Sequence, residues 1–255
     1  MAAPVKRIGM WTVLGNAFRV LFKNFGTALF LAVITGATGA VLSDLIVGSV
    51  LDSYHASNQQ QRLIVMQLTQ LVVLTLWGGT IGAWAAAAGV YLWVQEEKKQ
   101  KATLYEAVNY GLNRWGRVLK PHLKALVIVQ LGLIVVVPGI LFGLQYAFVD
   151  AIATLDQVEK DPIARSRKLT SGRRGTLFRT FAVFLVWWIP FQLAGVYWLQ
   201  GQGVWALALG GLIDHLVLLT LDLCMVQYYL DLFRKPAAPP STGAPAAEPV
   251  QPAPV

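Results

Sequence analysis

Apolar residues gather in long runs along this chain, and polar residues mark where each run ends. Four runs stand out: Thr27 to Leu51, Leu63 to Val94, Thr176 to Leu199 and Val204 to Leu232. Each reaches the roughly 20 residues that a helix needs to cross a bilayer. The second run holds 32 residues, about 48 Å of helix against a hydrocarbon core of about 30 Å, so it is predicted to tilt, bend or project from the membrane. The polar stretch Asp52 to Arg62 separates the first two runs, and Gln200, Gly201, Gln202 and Gly203 separate the last two. Each pair therefore predicts a helical hairpin.

A fifth apolar stretch, Ala125 to Leu155, reads either as one long span or as two short ones broken at Pro138 and Gly139, a pair that commonly interrupts a helix. Charge decides between them. Lys and Arg concentrate on the cytoplasmic side of membrane proteins. Two short spans leave 20 of the 21 Lys and Arg on one side and only Arg62 on the other, whereas one long span divides them almost evenly. The expectation is six crossings with both termini cytoplasmic in a bacterial inner membrane, and a re-entrant hairpin is the alternative for the short middle pair. Arg19 and Lys23 interrupt any apolar core of a signal peptide, so the N-terminus is expected to be retained.

Each hairpin follows a short segment with helix-start chemistry and a glycine at its end: Thr12 to Gly26, Thr103 to Gly116 and Asp161 to Gly175. Thr103 with Glu106 fits a capping box, and Asp161 before Pro162 fits an N-cap ahead of a first-turn proline. In the first segment Leu14, Phe18, Leu21, Phe22 and Phe25 oppose Asn16, Arg19 and Lys23. That is a basic amphipathic helix suited to an anionic leaflet. The second repeats the pattern with Leu104, Ala107, Val108, Gly111, Leu112 and Trp115, and is expected to lie flat on the membrane. The fold class predicted is thus an all-α polytopic bundle of about six transmembrane helices arranged as three hairpins, each preceded by a short interfacial helix.

Composition narrows the field. The chain is 56% hydrophobic and 13% charged, about half the charge of an ordinary soluble domain. The formal charge of +8 follows from topology, since the basic residues flank apolar runs, and no nucleic-acid partner is expected. A single cysteine, Cys224, supplies neither a disulfide framework nor a thiolate metal site. Residues 1–235 read as the membrane domain. Residues 236–255 hold seven prolines and six alanines and read as a disordered cytoplasmic tail.

The third segment is the most cationic. Arg165, Arg167, Lys168, Arg173 and Arg174 surround Ser166 and Thr170, which share a face, and Gly172 is available as a C-cap. They suit either a phosphate contact or a solvated cytoplasmic loop. The run from Ala164 to Arg174, followed by Leu177 and Phe178, resembles a signature of a bacterial membrane-domain family found attached to some glycerophosphoryl diester phosphodiesterases and in related stand-alone proteins. Ser166, Leu169, Gly172 and Phe178 match that pattern, as do Asn16, Ala17, Phe18, Arg19 and the Pro138, Gly139, Ile140 break. Pro162 departs from it, standing where a small helix former is expected. The resemblance covers most of residues 8 to 233 and implies a six-helix integral membrane domain. It does not imply the phosphodiesterase reaction, since no extra-membrane stretch of this sequence is long enough to hold that catalytic domain.

Asp44, Asp214, His215 and Asp222 fall inside predicted spans, where ionisable groups are costly and point to function. His215 and Asp222 are seven residues apart and share a helical face. Asp44 and Asp214 lie at comparable distances from the external ends of their spans, so contact between the first and last helices would enclose a polar cavity. The alternative is hydrogen-bonded helix glue, shared with Gln67, Gln70, Gln130 and Gln192. No metal set, phosphate loop or serine-nucleophile motif accompanies them, so neither a cofactor nor catalysis is expected. Gly78, Gly79, Gly82 and Gly89 read as helix-packing ridges, and Pro190 as a kink in the fifth span. Two functions remain. The first is a non-catalytic membrane protein contacting anionic phospholipids through Arg19, Lys23 and the third-segment cations, in lipid handling, envelope organisation or assembly with a protein partner or a second copy. The second is a small transporter or lipid translocator using the intramembrane Asp and His residues as a relay.

Overall fold

The computed structural model describes residues 9–54, 58–156, 158–198 and 203–233, and among them all regular structure is helical. The expected tail, the Gln200 to Gln202 turn and the side chains of Gln192 and Trp187 lie outside the described residues. Ten α-helices follow in order: α1 (Met10–Lys23), α2 (Phe25–Ala32), α3 (Thr38–Ser53), α4 (Gln59–Glu97), α5 (Leu104–Leu133), α6 (Val137–Tyr146), α7 (Val149–Leu155), α8 (Pro162–Thr170), α9 (Arg174–Trp198) and α10 (Val204–Phe233). A π-helical turn, Val33–Ala37, joins α2 to α3 so that Phe25–Ser53 runs as one rod.

Four stretches are long and apolar enough to cross a membrane: Phe25–Ser53, Gln59–Glu97, Val137–Leu155 and Val204–Asp231. They correspond to the first, second, fourth and sixth expected spans. The expected third span falls on α5, where Arg114, Arg117, Lys120 and Lys124 dilute the apolar run. The chain is a helical protein with membrane-long apolar helices. Large apolar side chains are exposed along the first half of α4, from Leu63 to Leu76, while its second half, from Ala83 to Trp93, is buried. The packed core lies around that second half and joins Val13, Val20, Leu92, Phe148, Ile152, Leu177 and Leu223.

Two of the three short segments take the predicted starts, α1 beginning instead at Met10 after Gly9, and none takes its predicted end. Thr103 and Glu106 form the capping box, and the Asp161 carboxylate accepts from the N–H groups of Ile163 and Ala164. None of the three end glycines closes a helix. Closure by glycine needs a left-handed backbone, and that conformation falls on Gly172, at φ 81, rather than on Gly26, Gly116 or Gly175. Gly26 lies inside α2 and Gly175 inside α9. α5 passes Gly116 and Pro121 without a break, so the expected flat surface helix and the following span are one helix. In α1 the packed face is Val13, Ala17, Val20 and Leu21, whereas Phe18, Phe22 and Phe25 from the predicted apolar set point outward.

The middle hairpin forms as two antiparallel limbs, α5 against α6 and α7. Its turn falls at Ile134 to Val136, just before the expected break, and Pro138 sits in the first turn of α6. That placement costs no helix bond, because first-turn N–H groups have no partner within the helix.

Candidate functional site

The π-helical turn and α10 touch through glycine. A Cβ built on Gly36 would stand 2.1 Å from the Gly211 carbonyl oxygen, and one on Gly211 would stand 2.4 Å from that of Gly36. With no side chain in the way the two backbones meet, and the first and last spans diverge from this contact to leave a cavity of about 610 Å³. Thr35 from the π turn, Ser43 and Asp44 from α3, Gln70 and Trp77 from α4, and Asp214 and His215 from α10 line it. Three of the four ionisable residues singled out in the sequence therefore share one cavity, and Gln70 joins them.

The cavity walls are held in place by their own hydrogen bonds. The Trp77 indole N–H donates to the Thr35 carbonyl at 2.9 Å, and the Thr35 hydroxyl donates to Leu31 O at 2.5 Å. Both bonds fall at the π turn, a local widening of the helix that is frequent at functional sites. Gly39 makes room for Trp77, since a Cβ there would stand 2.7 Å from the indole. From α9 the Trp188 indole N–H donates to the Asp214 carboxylate. Two carboxylates, one imidazole, an amide and two hydroxyls face one space, and no Lys or Arg lines it. Such a lining accepts hydrogen bonds and positive charge, and it disfavours an anion.

Asp222 lies two turns further along α10 and is not among the lining residues. On the middle hairpin, His122 of α5 pairs instead with Asp150 of α7. His122 Nδ1 is 2.9 Å from both Asp150 carboxylate oxygens, and His122 Nε2 is 3.2 Å from the carbonyl oxygen of Gly78, which also lines the cavity. A carbonyl only accepts, so the hydrogen of the Gly78 contact is carried by Nε2. Sequence reading singled out neither residue as a candidate. Their separation of 28 residues carries no local spacing signal, and only the hairpin joins them. Among the described residues no group of three or more His, Cys, Asp or Glu is placed to hold a metal ion.

Several of the expected headgroup contacts have partners within the chain. Lys23 Nζ is 2.6 Å from Glu96, Arg19 Nε is 3.8 Å from it, and Arg19 also donates to Asn16. Arg167 donates to the Tyr146 hydroxyl and lies over that ring, and Arg165 also interacts within the chain. Lys168, Arg173 and Arg174 are exposed. The signature residues around them hold structure together. Ser166 is fully buried, donates to Gln145 O at 2.8 Å and accepts from Phe148 N at 3.3 Å, so it ties the junction of α6 and α7 to α8. Leu169 packs on the core, Gly172 makes the left-handed turn into α9, and Phe178 is partly exposed.

Another joint carried no sequence signal at all. Buried Asn24 donates to Val20 O and accepts from Ala102 N at 3.0 Å, which fastens the bend between α1 and α2 to the loop after α4. Comparison with protein-family models, curated proteins and solved structures finds no match to this chain.

Proposed function

We propose that this is a multi-pass membrane protein that admits a small cationic or hydrogen-bond-donating solute to the cavity between its first and last spans, as a transporter does. The observation that carries the reading is the convergence of Asp44, Asp214 and His215, from segments about 170 residues apart, on one cavity lined without Lys or Arg. Ionisable groups inside a membrane commonly mark substrate or ion pathways, and transporters bind near the bilayer midplane between facing helices. The basic flanks of the spans support cytoplasmic termini and an inner-membrane location. Native mass spectrometry of the protein purified in mild detergent tests the reading. One small molecule retained stoichiometrically, and lost from the Asp44→Asn, Asp214→Asn double variant, is expected. The same unselective anionic lipids on both preparations would sink it and return the acids to the role of helix glue.

A second reading, contact with anionic phospholipid in lipid handling or envelope organisation, rests on a different observation. Trp11, Phe18 and Phe22 form an exposed aromatic stripe along α1 that Phe25, the first residue of α2, continues, with Trp11 70% and Phe22 66% exposed. α1 touches α9, whose approach carries exposed Arg173 and Arg174. Aromatic rings beside cations suit the headgroup region of a leaflet. The resemblance to the phosphodiesterase-attached membrane domains belongs with this reading.

A further inference from the structure

The three helical hairpins end in different chemistry. Between α3 and α4 stand Asp52, Ser53, Tyr54 and Asn58 to Arg62, and between α9 and α10 stand Gln200 to Gly203. Between α5 and α6 there is no polar side chain. Leu133, Ile134, Val135, Val136 and Val137 follow one another there, and all are exposed, from 47% at Leu133 to 74% at Ile134. Five consecutive exposed aliphatic residues suit hydrocarbon as their surroundings and not water.

Two independent rulers place this tip. α4 and α5 lie antiparallel, and the Thr75 hydroxyl on α4 donates to the Gln130 side chain on α5. From that level Arg62 is about 20 Å along α4 and Ile134 only about 6 Å along α5. The tip thus stops about 14 Å short of the charge that bounds the outer end of α4. Counted from the other end, Arg114, Arg117, Lys120 and Lys124 keep α5 charged up to Lys124. The uncharged part, Ala125 to Leu133, adds about 14 Å, less than half of a hydrocarbon core of about 30 Å.

The limbs cannot take separate paths. Gly132 and Gly139 lie backbone to backbone, His122 pairs with Asp150, and Arg117 donates to the Asp156 carbonyl. Four backbone N–H groups of the turn find acceptors within it, as a hydrocarbon environment requires of the groups it surrounds. Val135 N donates to Gly132 O, Val136 N to Leu133 O, Val137 N to Val135 O and Ile140 N to Val136 O, at 2.7 to 3.1 Å. Pro138 removes one donor that a helix start would leave without a partner. Holding so tight a turn puts Val136 at φ 59, a γ-turn that a β-branched residue rarely adopts.

We propose that the α5–α6 hairpin is re-entrant: it enters from the side of the membrane bearing the basic loops, turns at Leu133–Val137 among the lipid acyl chains, and leaves on the same side. The expected third and fourth crossings are then lost. The returning limb Val137–Leu155 is by length and composition able to span, but it is paired along its length with α5, whose uncharged part is shorter. The partner of this surface is the acyl-chain interior of the bilayer. No residue of the hairpin lines the cavity, so the inference stands apart from the function proposed above.

Cysteine labelling tests it in a Cys224→Ala background, using membrane vesicles of both orientations and a membrane-impermeant maleimide. Gln60→Cys and Lys160→Cys, both at exposed positions, report the two aqueous sides. Val135→Cys and Ile134→Cys are expected to resist labelling from either side and to react only after detergent is added. Labelling of both tip variants at the rate of Gln60→Cys would show a hairpin that crosses, and labelling at the rate of Lys160→Cys one that lies outside the membrane. Either result overturns the proposal. A nitroxide at residue 135 in reconstituted, monodisperse protein gives a second measure. Collision with oxygen well above collision with a water-soluble nickel chelate is expected, and the reverse would refute a tip within the acyl chains.

Discussion

Glycine does opposite things at different positions in this chain. Gly36 and Gly211 stand where any side chain would enter a neighbouring backbone, whereas Gly48, on the exposed side of α3, has open space around its Cα. Gly36→Ala or Gly211→Ala is therefore expected to cost about 1–3 kcal/mol through overpacking, while Gly48→Ala gains a few tenths to about 1 kcal/mol from helix propensity. Thermal unfolding in detergent distinguishes the two signs. Ser166 makes a comparable case for a polar group. Its hydroxyl is the hydrogen-bond partner of the buried Phe148 N–H, so Ser166→Ala strands that donor and is expected to cost about 1–3 kcal/mol. Faster amide exchange at Phe148, ahead of global unfolding, is the accompanying signature. A signature residue read from the sequence as a functional candidate has, in the structure, the work of closing the α6–α7 junction.

At the level of elements, the starts at Thr103 and Asp161 were legible, and of the ends only the one at Gly172. An N-cap is a local event, made by one side chain and N–H groups two or three residues on, so Asp161 and the Thr103–Glu106 box could be read off directly. The capping box also carries a pH dependence. The Thr103 hydroxyl and then the Thr103 N–H hold the Glu106 carboxyl below its ordinary range. A carboxylate lowered on folding adds stability above its unfolded value, and that stability is lost as pH falls through the folded value. The α5 start is expected to fray as the pH drops below the usual glutamate range, with protection of the Glu106 amide as the readout. Thr103→Ala should remove that dependence. Glu106 is fully exposed, so the effect is local and small. Helix ends depend on what lies beyond them, and Gly116 shows it: the helix continues there because α5 packs along α4 well past that point.

For the molecule as a whole, the lipid reading and the cavity reading separate cleanly by charge. Lys23 is already neutralised by Glu96, so reversing it would break an internal pair as well as any lipid contact. Lys168, Arg173 and Arg174 are the cleaner choice. Their replacement by Glu is expected to lower the preference of the reconstituted protein for spin-labelled phosphatidylglycerol over phosphatidylcholine, with about 1 kcal/mol, or about fivefold, per basic residue as the upper bound. An unchanged preference would remove the lipid reading and leave the cavity reading standing. The distribution of burial supports a protein solvated by lipid over part of its surface, since the outer half of α4 exposes leucines while the core lies around its other half.

Run length and charge asymmetry are one-dimensional quantities, and the bilayer acts on them directly: apolar length decides which segments are long enough to cross, and basic flanks decide which side they favour. The sequence alone therefore determined the helical class, three of the four membrane-long stretches, at Phe25–Ser53, Gln59–Glu97 and Val204–Asp231, and the capped starts at Thr103 and Asp161. It also pointed to Asp44, Asp214 and His215, because ionisable residues are conspicuous in apolar runs. Only tertiary structure decided that these three share one cavity while Asp222 stands outside its lining, that Arg19 and Lys23 are held by Glu96, and where the middle hairpin turns. Each of those outcomes depends on the register between helices distant in the chain. Register is settled by close contacts such as Gly36 with Gly211, which leave no periodic trace in the sequence of either helix.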